Sequence, residues 1–329
     1  MMNKSKIDWT DFSWNPVTGC NRGCAYCYAR AQVRRFSGDI RVNVTDPQLQ
    51  TIHTDGGDMY VLPAPFKGGR GQVIPFPAGF APTLHEYRLG DPARKKKPAN
   101  IFVCSMADLF GPWVPDEWIE RVFEACKAAP WHNYMFLTKY PQRYAALANA
   151  GKLPTRRVQP NFWYGTTVTR AGEAAFMHAV TYNTFLSIEP ISGPLDAGLG
   201  SFGGSRWIIV GAETGNRKGK IAPERAWIEN IIEAAWLTHA AVLLKDSKEL
   251  RAVWGDDLVQ QFPPELQRPE DEPIPHCREC RDAIKAGQGK RGTSYACAAQ
   301  FAITGDVAHV PGRYTRTSPP WCPRRVKKK

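Results

Sequence analysis

Cys20, Cys24 and Cys27 fall within eight residues of one another, in a chain of 329 residues that holds nine cysteines. They sit in the stretch WNPVTGCNRGCAYCYAR with the spacing Cys-x3-Cys-x2-Cys. Thiolate sulfur is the ligand that suits iron–sulfur clusters, and spacing this close lets one loop wrap one cluster. The local number is three rather than four, and a [4Fe–4S] cube held at three corners leaves one iron open to a substrate or cofactor. Gly19 and Gly23 allow the loop to turn tightly around such a core. A zinc site would need a fourth ligand, and the closest downstream histidine is His53. A redox pair of Cys24 and Cys27 would leave Cys20 without a role. The expectation is a [4Fe–4S] cluster on Cys20, Cys24 and Cys27.

Four more cysteines, Cys277, Cys280, Cys297 and Cys322, lie in the last 53 residues. A Cys-x2-Cys hook with two later thiols can close a tetrahedral zinc site, with His276 as a substitute ligand. An auxiliary iron–sulfur cluster is the competing reading. Basic residues around this segment suit a polyanion. Cys126 falls on the apolar face of a helical pattern and Cys104 ends an apolar run, so both read as packing residues.

The elements that must position the thiol loop read as an α/β fold. Apolar, β-rich runs at 100–106, 133–141, 161–168, 184–190, 206–215 and 240–247 alternate with helical patterns. One further strand is expected at FSWNPVTG. Helices are expected in PDEWIERVFEACKAAP, PQRYAALANA, RAGEAAFMHAV and PERAWIENIIEAAWLTHA, the last with Trp236 on its apolar face. Fully apolar strands alternating with amphipathic helices mean a parallel sheet covered by helices, here a partial or complete (β/α) barrel. Residues 1–255 form the barrel. A Gly/Pro-rich insertion at 38–98 reads as a lid-like excursion of short strands and turns. Residues 256–329 form a small, basic, Cys-containing C-terminal extension. In such barrels the working residues lie at the C-terminal ends of the strands. Those ends carry Ser105, Asp108, Lys139, Thr166, Thr167, Glu189, Glu213, Lys245 and Asp246.

The net charge of +12 is partly clumped, at ARKKK, NRKGK and the terminal RRVKKK. That pattern is the footprint expected of a protein that meets phosphate backbones. No apolar run approaches a membrane span, and the N-terminus lacks the apolar region of a signal peptide. A cytoplasmic protein is expected, in which clustered thiols hold metal rather than form disulfides.

Cys-x3-Cys-x2-Cys with the aromatic Tyr26 before the last cysteine resembles the signature of the radical S-adenosylmethionine superfamily. IDWTDFSWNPVTGC, IFVCSMADLF, FLTKYPQR, LSIEPISGPLD and WIIVGAETG together resemble a phage-associated, radical-SAM-like family of unassigned function. The resemblance covers roughly residues 7 to 255, in a bacterium or a phage-infected host. It departs from the pattern at Cys104, where an Asn is usual, in the composition of the insertion and in the cysteines of the tail. It implies S-adenosylmethionine bound at the open iron, with Tyr26 near the adenine. It further implies Ser105 or Asp108 near the methionine amino group, Thr166 or Thr167 at the ribose, and Glu189 and Glu213 as polar contacts to ribose or substrate. An electron from the cluster, supplied by an electron donor protein, would cleave the cofactor and start radical chemistry.

The expected function is therefore a radical SAM enzyme acting on DNA, RNA or a nucleotide-derived group. A peptide or small metabolite is the alternative substrate. A non-catalytic, metal-stabilised nucleic-acid-binding protein is the third reading; three thiols without a local fourth argue against it, because structural sites tend to be closed.

Overall fold

The computed structural model describes residues 2–195, 202, 204–214 and 218–267 in full, and the backbone of 283–289, 292–297 and 308–310. The chain divides into two units, Met1–Leu266 and Gln267–Lys329.

The first unit opens with β1 (Asn3–Lys4), β2 (Phe12–Trp14), β3 (Val17–Thr18) and helix α1 (Tyr28–Phe36). The insertion then adds α2 (Ile40–Asn43), β4 (Gln50–Ile52), β5 (Met59–Leu62), β6 (Thr83–His85) and α3 (Asp91–Arg94). From there strands alternate with helices: β7 (Asn100–Val103), α4 (Asp116–Lys127), β8 (Asn133–Thr138), α5 (Pro141–Asn149), β9 (Phe162–Val168) and β10 (Asn183–Ile188). The unit closes with β11 (Trp207–Val210), α6 (Arg225–Leu237), β12 (Ala241–Leu244) and α7 (Lys248–Trp254).

Eight strands form one mostly parallel sheet in the order β1-β2-β7-β8-β9-β10-β11-β12. Pairings from β2 to β12 are parallel, while β1 runs antiparallel to β2. This is an α/β arrangement flanked by helices. Strand alternation explains how the sheet is covered. Ile101, Val103, Tyr134, Phe136 and Phe162 point to the face packed by Trp118, Val122 and Phe123 of α4. Farther along, Ile208, Val210 and Val242 on the same face meet Ile228, Ile231 and Ile232 of α6. The alternate residues Phe102, Met135, Trp163, Phe185 and Trp207 project to the opposite face. They close around Trp9, which stands 4.8 Å from Phe102 and 5.9 Å from Phe185 between ring centroids. This aromatic plug is the floor beneath the candidate site. Truncating Trp9 to Ala empties its centre and should cost about 3–5 kcal/mol, seen as a lower midpoint in urea unfolding at unchanged slope. A midpoint equal to the parent's would mean the plug is not a packed floor.

Two expectations change. RAGEAAFMHAV is not a helix: residues 169–180 run as turns and coil. Glu173 folds back to accept the Thr169 N–H at 2.6 Å, and the Phe176 N–H donates to Thr166 Oγ1 at 3.1 Å. Side-chain acceptors thus take the backbone donors that a helix would have satisfied internally. Trp236 lies at the end of α6 with 59% of its surface exposed, off the buried stripe.

The insertion is built of short strands and turns, and it buttresses the thiol loop. β3, which leads into the thiol loop, pairs with β6, and a second sheet in the order β3-β6-β5-β4 results. Leu49, Tyr60, Leu62 and Phe66 give it a small core of its own. In the second unit, β13 (Ala283–Gly289), β14 (Gly292–Cys297) and β15 (Ala308–Val310) form an antiparallel sheet in that order. Cys277, Cys280 and Cys322, and the side chain of Cys297, lie outside the described residues.

Candidate functional site

The C-terminal ends of the parallel strands surround a cavity of about 560 Å³. One wall is the thiol loop, contributing Cys20, Arg22, Cys24, Tyr26 and Cys27. The other is built by strand ends: Ser105 and Asp108 after β7, Lys139 after β8, Thr167 on β9, Ser187 and Glu189 at β10, Glu213 after β11, and Lys245 and Asp246 after β12.

The loop is held from both sides. The Gly19 N–H donates to the Met106 carbonyl at 2.9 Å, and the Cys20 N–H to the Phe80 carbonyl at 3.0 Å. Asn15 Oδ1 accepts the Met106 N–H at 2.9 Å, which ties the loop after β7 to the end of β2. Gly19 has φ of +86°, and a Cβ there would stand 2.1 Å from the Ala81 carbonyl oxygen. Only glycine fits both the left-handed backbone and that close approach. The Arg30 guanidinium donates to the carbonyls of Cys20 (3.2 Å) and Arg22 (3.3 Å) and lies 4.6 Å above the Phe80 ring. Arg22 in turn donates to the Lys139 carbonyl at 3.2 Å.

All three thiols are partly exposed and unbonded to one another. The Arg22 N–H donates to Cys20 Sγ and the Arg30 N–H to Cys27 Sγ, each at 3.4 Å, so α1 begins on a cysteine cap. Burial pushes the Cys20 thiol up to about 11, opposed by the Arg22 N–H. It is therefore a protonated thiol that a metal would have to deprotonate on binding. Among the described residues no three His, Cys, Asp or Glu side chains are grouped as the ligands of a metal ion. A four-iron cube takes each thiolate on a different iron, so its ligands stand farther apart than those around a single ion. The donor set of three sulfurs on one short loop, facing one cavity, two of them receiving backbone N–H bonds, fits a cluster of that kind.

The sequence-derived candidates separate as follows. Tyr26 faces the cavity, its ring centroid 5.5 Å from Lys139 Nζ, and burial pushes its phenol up to about 12. Burial draws Lys139 downward, and the thiol of Cys24 and the carboxyl of Asp108 work against that. Ser105 lines the cavity with its hydroxyl 3.3 Å from Asn15 Oδ1, and its carbonyl accepts the Tyr28 hydroxyl at 2.7 Å. Asp108 is a buried bracket: its carboxylate accepts Thr138 Oγ1 (2.6 Å) and the N–H groups of Lys139 (3.0 Å) and Phe110 (3.2 Å). Burial raises its pKa while those donors favour the charged form. Thr167 lines the cavity, whereas Thr166 is fully buried and its hydroxyl accepts the Phe176 N–H. Glu213 is on the cavity wall. Lys220 of the basic NRKGK stretch pairs with Glu249 at 3.0 Å, and Arg217 lies outside the described residues. Cys104 is buried beneath the cavity with φ of +60°. Such a conformation is uncommon for any residue but glycine.

Lys245 Nζ donates to Glu189 Oε2 at 2.8 Å. Glu189 Oε1 and Ser187 Oγ, on the same wall, are shielded from solvent and meet no partner among the described residues. Buried polar atoms are normally satisfied, so this wall is chemically prepared for a polar ligand. Gly211 makes the room: a Cβ there would stand 2.9 Å from Glu189 Cγ and 3.1 Å from Lys245 Cδ.

Asn15, Arg22, Arg30, Phe80 and Asp8 were not anticipated. Asp8 accepts the Asp246 N–H at 2.7 Å, joining the segments before β2 and after β12 at the rim. The run without acidic residues between Asp11 and Asp39 was a usable signal for the arginines. Phe80 had none, since it enters from the insertion.

A family model described as "Protein of unknown function (DUF5131)" matches residues 4–256. No curated protein matches the chain. Among solved structures, a point mutant of spore photoproduct lyase superposes with a TM-score of 0.42 at 10% identity, over 74% of this chain and 78% of its own. Spore photoproduct lyase complexed with dinucleoside spore photoproduct gives 0.41 at 8% identity, with the same coverage. A likeness at that level assigns no chemistry. No described helix is long and apolar enough to cross a membrane.

Proposed function

The chain belongs to the DUF5131 family, whose function is not assigned, and we propose that it is a radical SAM enzyme acting on a nucleic acid or a nucleotide-derived group. The observation that carries this reading is the three-thiol loop without a fourth local ligand, facing a cavity at the C-terminal ends of a parallel sheet. Cys20, Cys24 and Cys27 would hold the [4Fe–4S] cluster, leaving one iron for S-adenosylmethionine. Bound there, the cluster would supply the electron that cleaves the cofactor reductively, drawn from an electron donor protein.

The residues of this chain do the rest. Arg22 and Arg30 hold the loop backbone, so that its thiols present to one space. Tyr26 and Lys139 form an aromatic and cationic corner beside the thiols, and Ser105 and Asp108 shape the loop opposite. Thr167, Ser187, Glu189 and Glu213 offer hydroxyls and carboxylates to ribose or substrate. Trp9 and Phe102 exclude water from below. In the tail, Cys277, Cys280, Cys297 and Cys322 would hold zinc or a second cluster. The net charge of +12 supports a polyanionic substrate over a peptide or metabolite. A phage setting and a cytoplasmic location belong to the same proposal.

The experiment is anaerobic purification, reduction with dithionite and chromatography for 5′-deoxyadenosine. Protein that binds iron yet forms none of it with or without nucleic acid would remove the reading.

The Glu189–Lys245 pair gives a finer test. Glu189→Gln keeps the shape but removes the charge, and Lys245→Met leaves the carboxylate without its donor. Each forfeits a charge-assisted hydrogen bond of about 1.5–3 kcal/mol, or roughly 10- to 100-fold in cofactor affinity or turnover. Iron content should stay at the parent level in both. Unchanged affinity and unchanged turnover would take the pair out of the site.

A further inference from the structure

The helix that follows the thiol loop carries a second feature that the cavity does not use. α1 reads YARAQVRRF, with Ala29 and Val33 buried and no acid in its sequence. Ala29 and Val33 pack against Met106, Phe76 and Phe80. Helical periodicity lines up Tyr28, Gln32 and Phe36 at i, i+4 and i+8 along one edge of that buried stripe, with Arg35 beside the row and Arg34 farther round the helix. Gln32, Arg34 and Arg35 are exposed, as are the large rings Tyr28 (58%) and Phe36 (51%). Among the described residues neither Arg34 nor Arg35 has an ion-pair partner, and Arg41 just beyond is exposed as well. Unpaired guanidinium groups on the same short helix as two exposed rings offer cations and aromatic faces together, the combination that a polyanion with flat bases engages.

Tyr28 links this face to the cavity. It lines the opening, and its hydroxyl donates to the Ser105 carbonyl at 2.7 Å, which fixes where the ring stands. Tyr28 and Phe36 are eight residues apart, about 12 Å along the axis. A strip one helix wide is too narrow for the ~800 Å² per partner of a stable protein interface. It matches a single strand, whose phosphates meet arginines while its bases stack on rings. We propose that the exposed face of α1 is a docking strip for single-stranded nucleic acid, which leads a nucleotide past Tyr28 into the cavity. This rests on the nucleic-acid reading given above and adds the surface, the strandedness and the direction of approach. It also moves the phosphate contacts away from the NRKGK stretch, where Lys220 is engaged by Glu249.

The test is fluorescence anisotropy of labelled single-stranded DNA and RNA oligonucleotides over a range of salt, with the full-length chain. Arg34→Glu/Arg35→Glu should weaken binding at least about tenfold at low salt and flatten the slope of log affinity against log salt by about 1.4. Arg34→Lys/Arg35→Lys should keep most of that slope. Phe36→Ala should weaken binding roughly 5- to 100-fold with the slope unchanged, as lost stacking does. Matching thermal unfolding of the parent and variants controls for misfolding. Oligonucleotide affinity unmoved by both the charge reversal and Phe36→Ala overturns the proposal. So does a charge reversal that spares oligonucleotides but slows reduction by an acidic electron-transfer protein such as a flavodoxin. Cleavage of S-adenosylmethionine under dithionite, measured on the same variants, should stay at the parent level. If the parent itself cleaves none, the enzyme reading fails while the strip is still judged by binding.

Discussion

Gly19→Ala should yield a protein that is less stable by about 2–6 kcal/mol and unable to retain iron on the thiol loop. The methyl group must enter a space 2.1 Å from the Ala81 carbonyl oxygen, on backbone at φ of +86°. Left-handed strain at a non-glycine residue and overpacking against backbone each contribute roughly 1–3 kcal/mol. Relief can come only by moving the loop away from the insertion, which breaks the Cys20 N–H bond to Phe80 and the Gly19 bond to Met106. The cysteines remain in the sequence, so the variant separates having the ligands from having them placed. Urea unfolding and iron analysis of the same preparation check it. Parent-level iron in Gly19→Ala would show that the buttress does not set the loop.

Changing Cys20, Cys24 and Cys27 together to Ala should remove about four irons per chain relative to the parent. Any one of the three changes should lose most of the same iron and all formation of 5′-deoxyadenosine. The effect is this large because each of the three thiolates holds a different iron of the cube, so the loss of any one frees a corner. Comparing variant with parent isolates this centre from whatever the tail cysteines hold. A triple variant with the parent's iron content would place the metal elsewhere.

Much of the fold was legible because it depends on local pattern. The runs ending at Val103, Thr138, Val168, Ile188, Val210 and Leu244 are mostly apolar, as strands covered on both faces are. α4 and α6 follow from their apolar spacing. RAGEAAFMHAV misled because its composition favours a helix, while Glu173 and Thr166 capture its backbone donors through contacts that composition does not record. Trp236 misled by counting hydrophobicity at a helix end, where the stripe has already turned away from the sheet.

The site divides along the same line. Cys20, Cys24 and Cys27 announce themselves by spacing, and Glu189, Glu213 and Lys245 by charge at the ends of apolar strands. Counting strands could not tell Thr166 from Thr167, which point to opposite faces of β9. Nor could it show that Asp108 spends its oxygens on Thr138, Lys139 and Phe110. Phe80 and the clasp of Asp8 on Asp246 arise from tertiary contacts with no local trace.

The most direct test of the central claim is electron paramagnetic resonance of the reduced, anaerobically reconstituted protein before and after S-adenosylmethionine is added. A cluster held by Cys20, Cys24 and Cys27 with one iron open must change its spectrum when the cofactor occupies that iron. The account predicts a reduced-cluster signal that shifts on addition in the parent and is missing in the variant lacking all three cysteines. A signal that S-adenosylmethionine leaves unchanged, or one that survives the loss of all three thiols, would contradict it.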